Sequence, residues 1–320
     1  MARALRIAAI SFAALLAALI LAPLAGSTSI SISRALDGLS PDREILFLAR
    51  LPRVLMAALA GMALSVAGVL FQALLRDALA TPYTLGVSSG ASLGAVAALV
   101  FGWPAPWAFA FAGAAAVLFL VLGVATEAKR VSPFTLLLAG VTINSMALAL
   151  ILFLQAIAPY GRSIAITRWL MGGIEAESYT TIAWLAAVVL PLCALAFLYS
   201  RGWNLMTAGE EWAAARGANA ARLTLIGYLA GSALAGAVAA FTGPIGFVGL
   251  IVPHALRLRL GADHRVLLPA SAFLGAAFLI ACDTGARTLL APSEIPVGVV
   301  TALLGGPVFI WLLRAKRRYN

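Results

Sequence analysis

Apolar residues run in long, nearly unbroken stretches along this chain, and polar residues gather in the gaps between them. A helix needs about 20 mostly apolar residues to cross the hydrocarbon core of a bilayer. Ten stretches come close to that length: 6–25, 52–75, 86–102, 105–126, 134–157, 179–200, 222–242, 244–258, 266–284 and 297–313. The eighth is short and starts at Gly243-Pro244. The intervening segments are short, with no soluble domain, linker or low-complexity tail. The pattern therefore predicts an all-α, polytopic membrane protein with about ten transmembrane helices, residues 1–320 forming one transmembrane domain.

Inside the stretches, small residues recur at the spacing that lets helix backbones approach closely. Gly86, Gly90 and Gly94 form one such ridge, Gly227 and Gly231 another. A fainter echo links Ala67-Gly68 and Leu93-Gly94-Ala95 with Ala235-Gly236 and Leu274-Gly275-Ala276, five spans later. It fits an inverted repeat of the kind many transporters carry. Charged residues are nearly absent from the span centres; Asp283 and Glu294 fall near span ends. A proton- or ion-coupled carrier usually keeps an intramembrane acid or histidine for its coupling ion. That weighs against the alternative function, a secondary transporter working without an ATPase.

Composition agrees with the membrane reading: 63% of the 320 residues are hydrophobic and 11% charged, against about 25% charged in a soluble domain. The net charge of +10 could point to nucleic acid, but its placement does not. With the N-terminus inside, the inner segments hold 15 of the 22 basic residues, Lys129, Arg317 and Arg318 among them, and five of the 12 acidic ones. The outer segments hold seven of each, so the basic excess is a topology signal, the positive-inside bias of a plasma-membrane protein with both termini cytoplasmic. Arg3, Arg6 and the run Ile7–Ala25 resemble a signal peptide, but the run exceeds the usual 7–15 apolar residues and is read as a retained first span.

Local motifs give no chemistry. Gly86-Val-Ser-Ser-Gly90 fits the G-x-S-x-G pattern of a hydrolase elbow, yet it opens an apolar helix, and the chain's two histidines, His254 and His264, share one inner loop. Neither lysine follows the glycine spacing of a phosphate-binding loop, so ATP would have to be bound by another subunit. His254, His264 and Asp263 stand among arginines that repel a cation, so no metal site, cofactor or enzymatic activity is expected. Cys193 and Cys282 sit in apolar runs as small hydrophobes. One segment stands apart: Gly209-Glu-Glu-Trp-Ala-Ala-Ala-Arg-Gly217, polar and helix-prone, lies in an inner loop and suits either an interfacial helix or a docking helix for a cytoplasmic partner.

Several longer signatures resemble those of one family: Arg50-Leu-Pro-Arg53, Gly68-Val-Leu-Phe-Gln72, Leu136-Leu-Leu-Ala-Gly140, Gly243-Pro-Ile-Gly-Phe-Val-Gly-Leu-Ile-Val-Pro-His254, Asp263-His-Arg-Val-Leu-Leu-Pro269, and the run from Glu294 to Trp311. The family is the permease subunit of iron–siderophore, haem and cobalamin importers of the ATP-binding-cassette type, and the resemblance runs from about residue 45 to the C-terminus. It implies a cobalamin-importer-like, ten-span permease of a bacterial inner membrane, acting as a homodimer with the pathway between the copies and moving a large metal chelate. Two cytoplasmic ATPase subunits and a periplasmic or lipid-anchored substrate-binding protein would be its partners, beside membrane lipid. Glu210, Glu211, Ala214 and Gly217 fall on the family's ATPase-coupling element, with Trp212 replacing an alanine. Arg50, Arg53 and Arg287 match outward arginines that meet the binding protein. Ser132, Pro133, Phe134 and Thr135 fall at the inner gate, Pro133 and Phe134 being bulkier than the small hydroxyl residues of the cobalamin importer.

Overall fold

The computed structural model describes residues 2–127 and 130–316; Lys129, Arg317 and Arg318, counted above among the inner charges, lie outside them. Fifteen helices follow in order among the described residues: α1 (Ala2–Leu21), α2 (Ile32–Leu36), α3 (Asp42–Glu44), α4 (Leu51–Leu74), α5 (Val87–Phe101), α6 (Pro106–Ala125), α7 (Pro133–Ile157), α8 (Tyr160–Met171), α9 (Tyr179–Leu198), α10 (Ser200–Ala208), α11 (Glu210–Ala215), α12 (Ala220–Thr242), α13 (Val248–Leu260), α14 (His264–Thr288) and α15 (Val297–Lys316). Each of the ten apolar stretches carries one helix. Seven of the resulting spans are long and apolar enough to cross a membrane unaided. Beyond the helices, Thr126 pairs with Val131 and Glu127 with Arg130 in a two-residue turn of sheet. Four long helices start on side-chain caps: Ser132, Ser178, Asn219 and Asp263 each accept a backbone N–H from the first turn, as capping residues do.

The centre of the bundle is α4. Nearly every residue from Val54 to Leu74 is buried, as expected of a helix that is apolar all round. Its start is marked by Pro52, which lacks the N–H needed to continue the ladder; the turn before it, Ile45–Arg50, is correspondingly widened into π-helix. Glycines let α4 mesh with its neighbours. A Cβ on Gly61 would fall inside van der Waals contact of the Gly275 carbonyl on α14, and one on Gly68 would overlap the Gly249 carbonyl on α13. Both predicted ridges pack in the same way. Gly94 abuts the Phe109 carbonyl and Gly90 the Gly113 carbonyl, both on α6, while Gly231 lies against the Phe71 ring of α4.

The eighth stretch folds as a helix but a short one, which is not among those long and apolar enough to cross a membrane unaided. Its helix, α13, has 13 residues, about 20 Å of rise. The four residues before it are irregular backbone, which a membrane interior tolerates only when protein covers it. Here the loop after α8, the loop before α13 and the first turn of α15 cover one another: Gly173 N–H donates to Thr242 O at 2.8 Å, and Gly298 N–H to Gly172 O at 3.1 Å. Phe247 enters α13 with φ of +67°, its ring packed over Gly305.

Two expectations change. Helix α8 was not among the predicted elements, and α14 extends to Thr288, so Asp283 sits more than a turn inside that helix and is buried rather than at its edge.

Candidate functional site

Two ends of the bundle differ in charge. The basic end carries the starts of α5, α7, α12 and α14, with α10 and α11; the opposite, neutral end carries the start of α4, α8 and the end of α14.

At the basic end the chain folds back after α9. Trp203 of α10 is fully buried and its indole N–H donates to Ala196 O at 2.8 Å, which pins α10 against the end of α9. Gly209, at φ of +122°, stops α10 and turns the chain into α11. Ala213 is the one α11 residue packed into the body, with Met206 of α10 buried beside it in the same core. Glu211, Trp212, Ala214 and Ala215 are left facing out, and Arg216 lies 6.0 Å from the Trp212 ring. Glu210 stands 3.9 Å from Arg76. Gly217 is exposed at φ of +79°, and a Cβ there would meet nothing within 4 Å. The structure thus brings Glu210, Glu211, Ala214 and Gly217 into one protruding element with a rigid base.

That base is tied to α14 by Asn204, a residue the sequence reading did not single out. Its side-chain amide donates to Asp263 Oδ1 at 2.8 Å, and its carbonyl oxygen accepts the His264 backbone N–H at 2.8 Å. Asp263 is held below the usual carboxylate range, first by that Asn204 bond and then by the Arg265 backbone N–H.

At the neutral end the three arginines expected to face outward are held by contacts within the chain. Arg53 holds Asp283 through Nε at 3.1 Å and Nη2 at 3.0 Å, and reaches Glu294 through Nη1 at 2.7 Å. Arg287 Nε reaches the other Asp283 oxygen at 3.1 Å. Arg50 turns inward instead, donating to Pro23 O and Leu24 O, both at 3.2 Å, and to Thr28 O. These carbonyls lie just past the end of α1, where a helix leaves acceptors unpaired. Arg50 and Arg287 are only 5% exposed, so neither guanidinium presents a face to a partner. For Arg53 and Arg287 the physical reason is Asp283: at 1% exposure, a carboxylate must be paired, and these two arginines are the groups that pair it. Arg53 alone keeps an outlet, through the half-exposed Glu294.

The gate residues lie at the start of α7. Ser132 Oγ caps the helix by accepting Thr135 N–H at 3.3 Å, Pro133 occupies its first turn, and Phe134 is exposed. Leu138, Leu148 and Leu152 continue this exposed apolar side of α7, as do Leu303, Leu304 and Trp311 on α15. Thr142 and Ser145 share the exposed side of α7, but each hydroxyl bonds its own helix, to Leu138 O and Val141 O.

Comparison with known proteins gives a consistent result. The FecCD transport family is matched over residues 14–315. The haemin-transport permease HmuU of Yersinia pestis is 40% identical over 276 residues, 84% of this chain and 82% of that one. The vitamin B12 import permease BtuC of Escherichia coli O9:H4 is 37% identical over 308 residues, 95% and 93% of the two chains. An Fe(3+)-citrate import permease of Bacillus subtilis, YfmE, is 36% identical over 273 residues, 84% and 81%. Among solved structures, a metal-chelate-type ABC transporter in an inward-facing conformation superimposes with a TM-score of 0.86 at 29% identity, covering 97% of this chain and 99% of that one.

Proposed function

Since this chain belongs to the FecCD transport family, the permease components of ATP-binding-cassette importers, we propose that it moves a metal chelate inward between two copies of itself. It is a multi-pass membrane permease, and such permeases work with ATPase and substrate-binding proteins. The observation that carries the coupled reading is α11: an exposed element anchored by Ala213 and braced by the buried Trp203, suited to fit a cleft on a cytoplasmic ATPase and to pass on its movement. The basic end is then the inner face of a bacterial inner membrane, with both termini cytoplasmic, as the positive-inside rule requires. The relatives named for haemin, vitamin B12 and ferric citrate share metal-bearing cargo, which supports a metal chelate here. The exposed apolar sides of α7 and α15 are the surfaces suited to meet the second copy and to line the pathway, with Ser132–Thr135 as the inner gate. Their hydroxyls are already bonded within α7, so the walls discriminate little and the binding protein selects the cargo. Reconstituting permease, ATPase and binding protein in liposomes tests this: ATP hydrolysis should rise with one of haem, cobalamin or a ferric siderophore. Uptake driven by a proton or sodium gradient without the ATPase would refute it. Asp283 does not serve such a gradient, because two guanidinia already occupy its oxygens.

Gly217 separates coupling from folding. In Gly217→Phe the new side chain enters open space, and the positive φ costs about 1 kcal/mol. The variant should insert and remain monodisperse, while co-purification of the ATPase falls by roughly tenfold or more, as for a clash at an interface centre. Unaltered assembly and uptake would reduce α11 to an interfacial helix.

Docking of the binding protein at the neutral end is reframed around Arg53. A partner carboxylate would compete with Glu294 for Nη1, with Arg50 and Arg287 as supports beneath. Glu294→Gln weakens the hold on that nitrogen, leaving a neutral acceptor in place of a charged one, and removes a like charge from the partner's approach. Association should therefore quicken at low salt and respond more steeply to ionic strength, as rim charges do. An unchanged association rate for this variant at low salt would remove Arg53 from the docking surface.

A further inference from the structure

We propose that the groove between α6 and α9 seats one phospholipid with an ethanolamine head group. The groove encloses a cavity of about 990 Å³, at the upper end of what a small-molecule site occupies (roughly 300–1,000 Å³). Its shape follows from the sequence. Helices α6 and α9 pack on α12 rather than on one another, and α12 offers a floor of small side chains, Ala237 and Ala240, both buried. The walls are bulky and one helical turn apart: Trp107 and Phe111 on α6, Trp184 and Val188 on α9. All four are exposed although they belong to spanning helices. Trp107 is steadied by stacking on Phe241 at 5.9 Å. A slot with aromatic ridges and a flat alanine floor, open toward hydrocarbon, fits an acyl chain, and left empty its lining would lose those dispersion contacts.

The head group is indicated by the mouth. Arg168, from α8, and Glu175 and Glu177, from the loop before α9, line the same cavity. None of the three takes part in an ion pair among the described residues. A zwitterion satisfies all of them at once. Its phosphate pairs with the guanidinium, and its ammonium donates to the two carboxylates. A primary ammonium brings three N–H donors; a choline head brings none. An anionic glycerol head would offer two carboxylates only neutral hydroxyls and would bring a net charge of their own sign. The cavity lies at the neutral end, so the lipid is drawn from the leaflet at that end, next to the exposed wall residues.

This inference rests on the membrane-spanning reading but not on cargo or ATPase, so its test uses the permease alone. The purified full chain is placed in nanodiscs of phosphatidylethanolamine and phosphatidylcholine in equal parts with a little phosphatidylglycerol, then extracted gently, and retained lipid is counted by mass spectrometry. Phosphatidylethanolamine should exceed phosphatidylcholine by roughly tenfold, the worth of charge-assisted hydrogen bonds. Glu175→Gln with Glu177→Gln should bring the two lipids near parity without changing thermal stability, because both carboxylates are unpaired. Ala240→Phe should fill the floor and weaken quenching of tryptophan fluorescence by brominated-chain lipids. Parity in the unaltered protein, a preference for phosphatidylglycerol, or a preference that survives the double glutamine change would each overturn the proposal.

Discussion

Replacing Asp283 with alanine should destabilise the permease by about 3–5 kcal/mol, the cost of leaving a buried charge without its partner. Among the described residues, the change strips Arg287 of its only paired carboxylate and leaves Arg53 with Glu294 alone. The expected result is a marked fall in the temperature at which detergent-solubilised protein loses its monodisperse peak. The double change Asp283→Leu with Arg287→Leu should lose much less than the two single changes together, because it removes charge and countercharge at once and keeps the Arg53–Glu294 pair. A single Asp283→Ala variant as heat-resistant as the parent would show that the four charges are surface groups, and would restore the arginines to an outward role.

The second large effect is steric. Gly68→Val should yield no folded protein, since its Cβ would coincide with the backbone carbonyl of Gly249, and neither main chain can retreat from the crowded centre of the bundle. Losses beyond 4–5 kcal/mol are expected of such overlap. Gly123→Ala provides the control. Gly123 lies on the exposed side of α6, and a Cβ there meets nothing within 4 Å. The substitution should be neutral or stabilising by up to about 1 kcal/mol, since alanine restricts the unfolded chain. Normal expression and sizing of Gly68→Val would mean that α4 and α13 do not mesh as described.

The ten spans were legible because a spanning helix writes its own signal in about 20 consecutive residues. The exposed helix α11 was legible for a similar reason: its polarity contrasts with what flanks it within one short stretch. Helix α8 escaped notice because Tyr160–Met171 mixes Arg162, Arg168, Ser163 and Thr167 with apolar residues and so lacks a span's uniformity. The ion cluster escaped for a different reason. Arg53 and Asp283 are 230 residues apart, and nothing near either one specifies the other. Read alone, an arginine at the start of a span looks like an anchor or a docking group, and only the fold shows the carboxylate beneath it. Asn204 was hidden in the same way, since its partners Asp263 and His264 lie 59 and 60 residues further on.

Helix α14 joins features that otherwise seem unrelated. Its first turn is latched by Asn204 to the base of α11, and Asp283, about 28 Å along its axis, is gripped by two arginines. Midway, Gly275 is meshed with Gly61 of α4. A helix fixed at three heights behaves as a tie-rod. It resists stretching, and it resists sliding past α4, because any axial slip must drive backbone against backbone. A force applied at α11 would therefore be spent neither on bending the core nor on shifting one helix past the next. It would tilt α4, α13 and α14 together as a single beam, so that a push at the foot would be felt at the ion cluster on the far face in the same stroke.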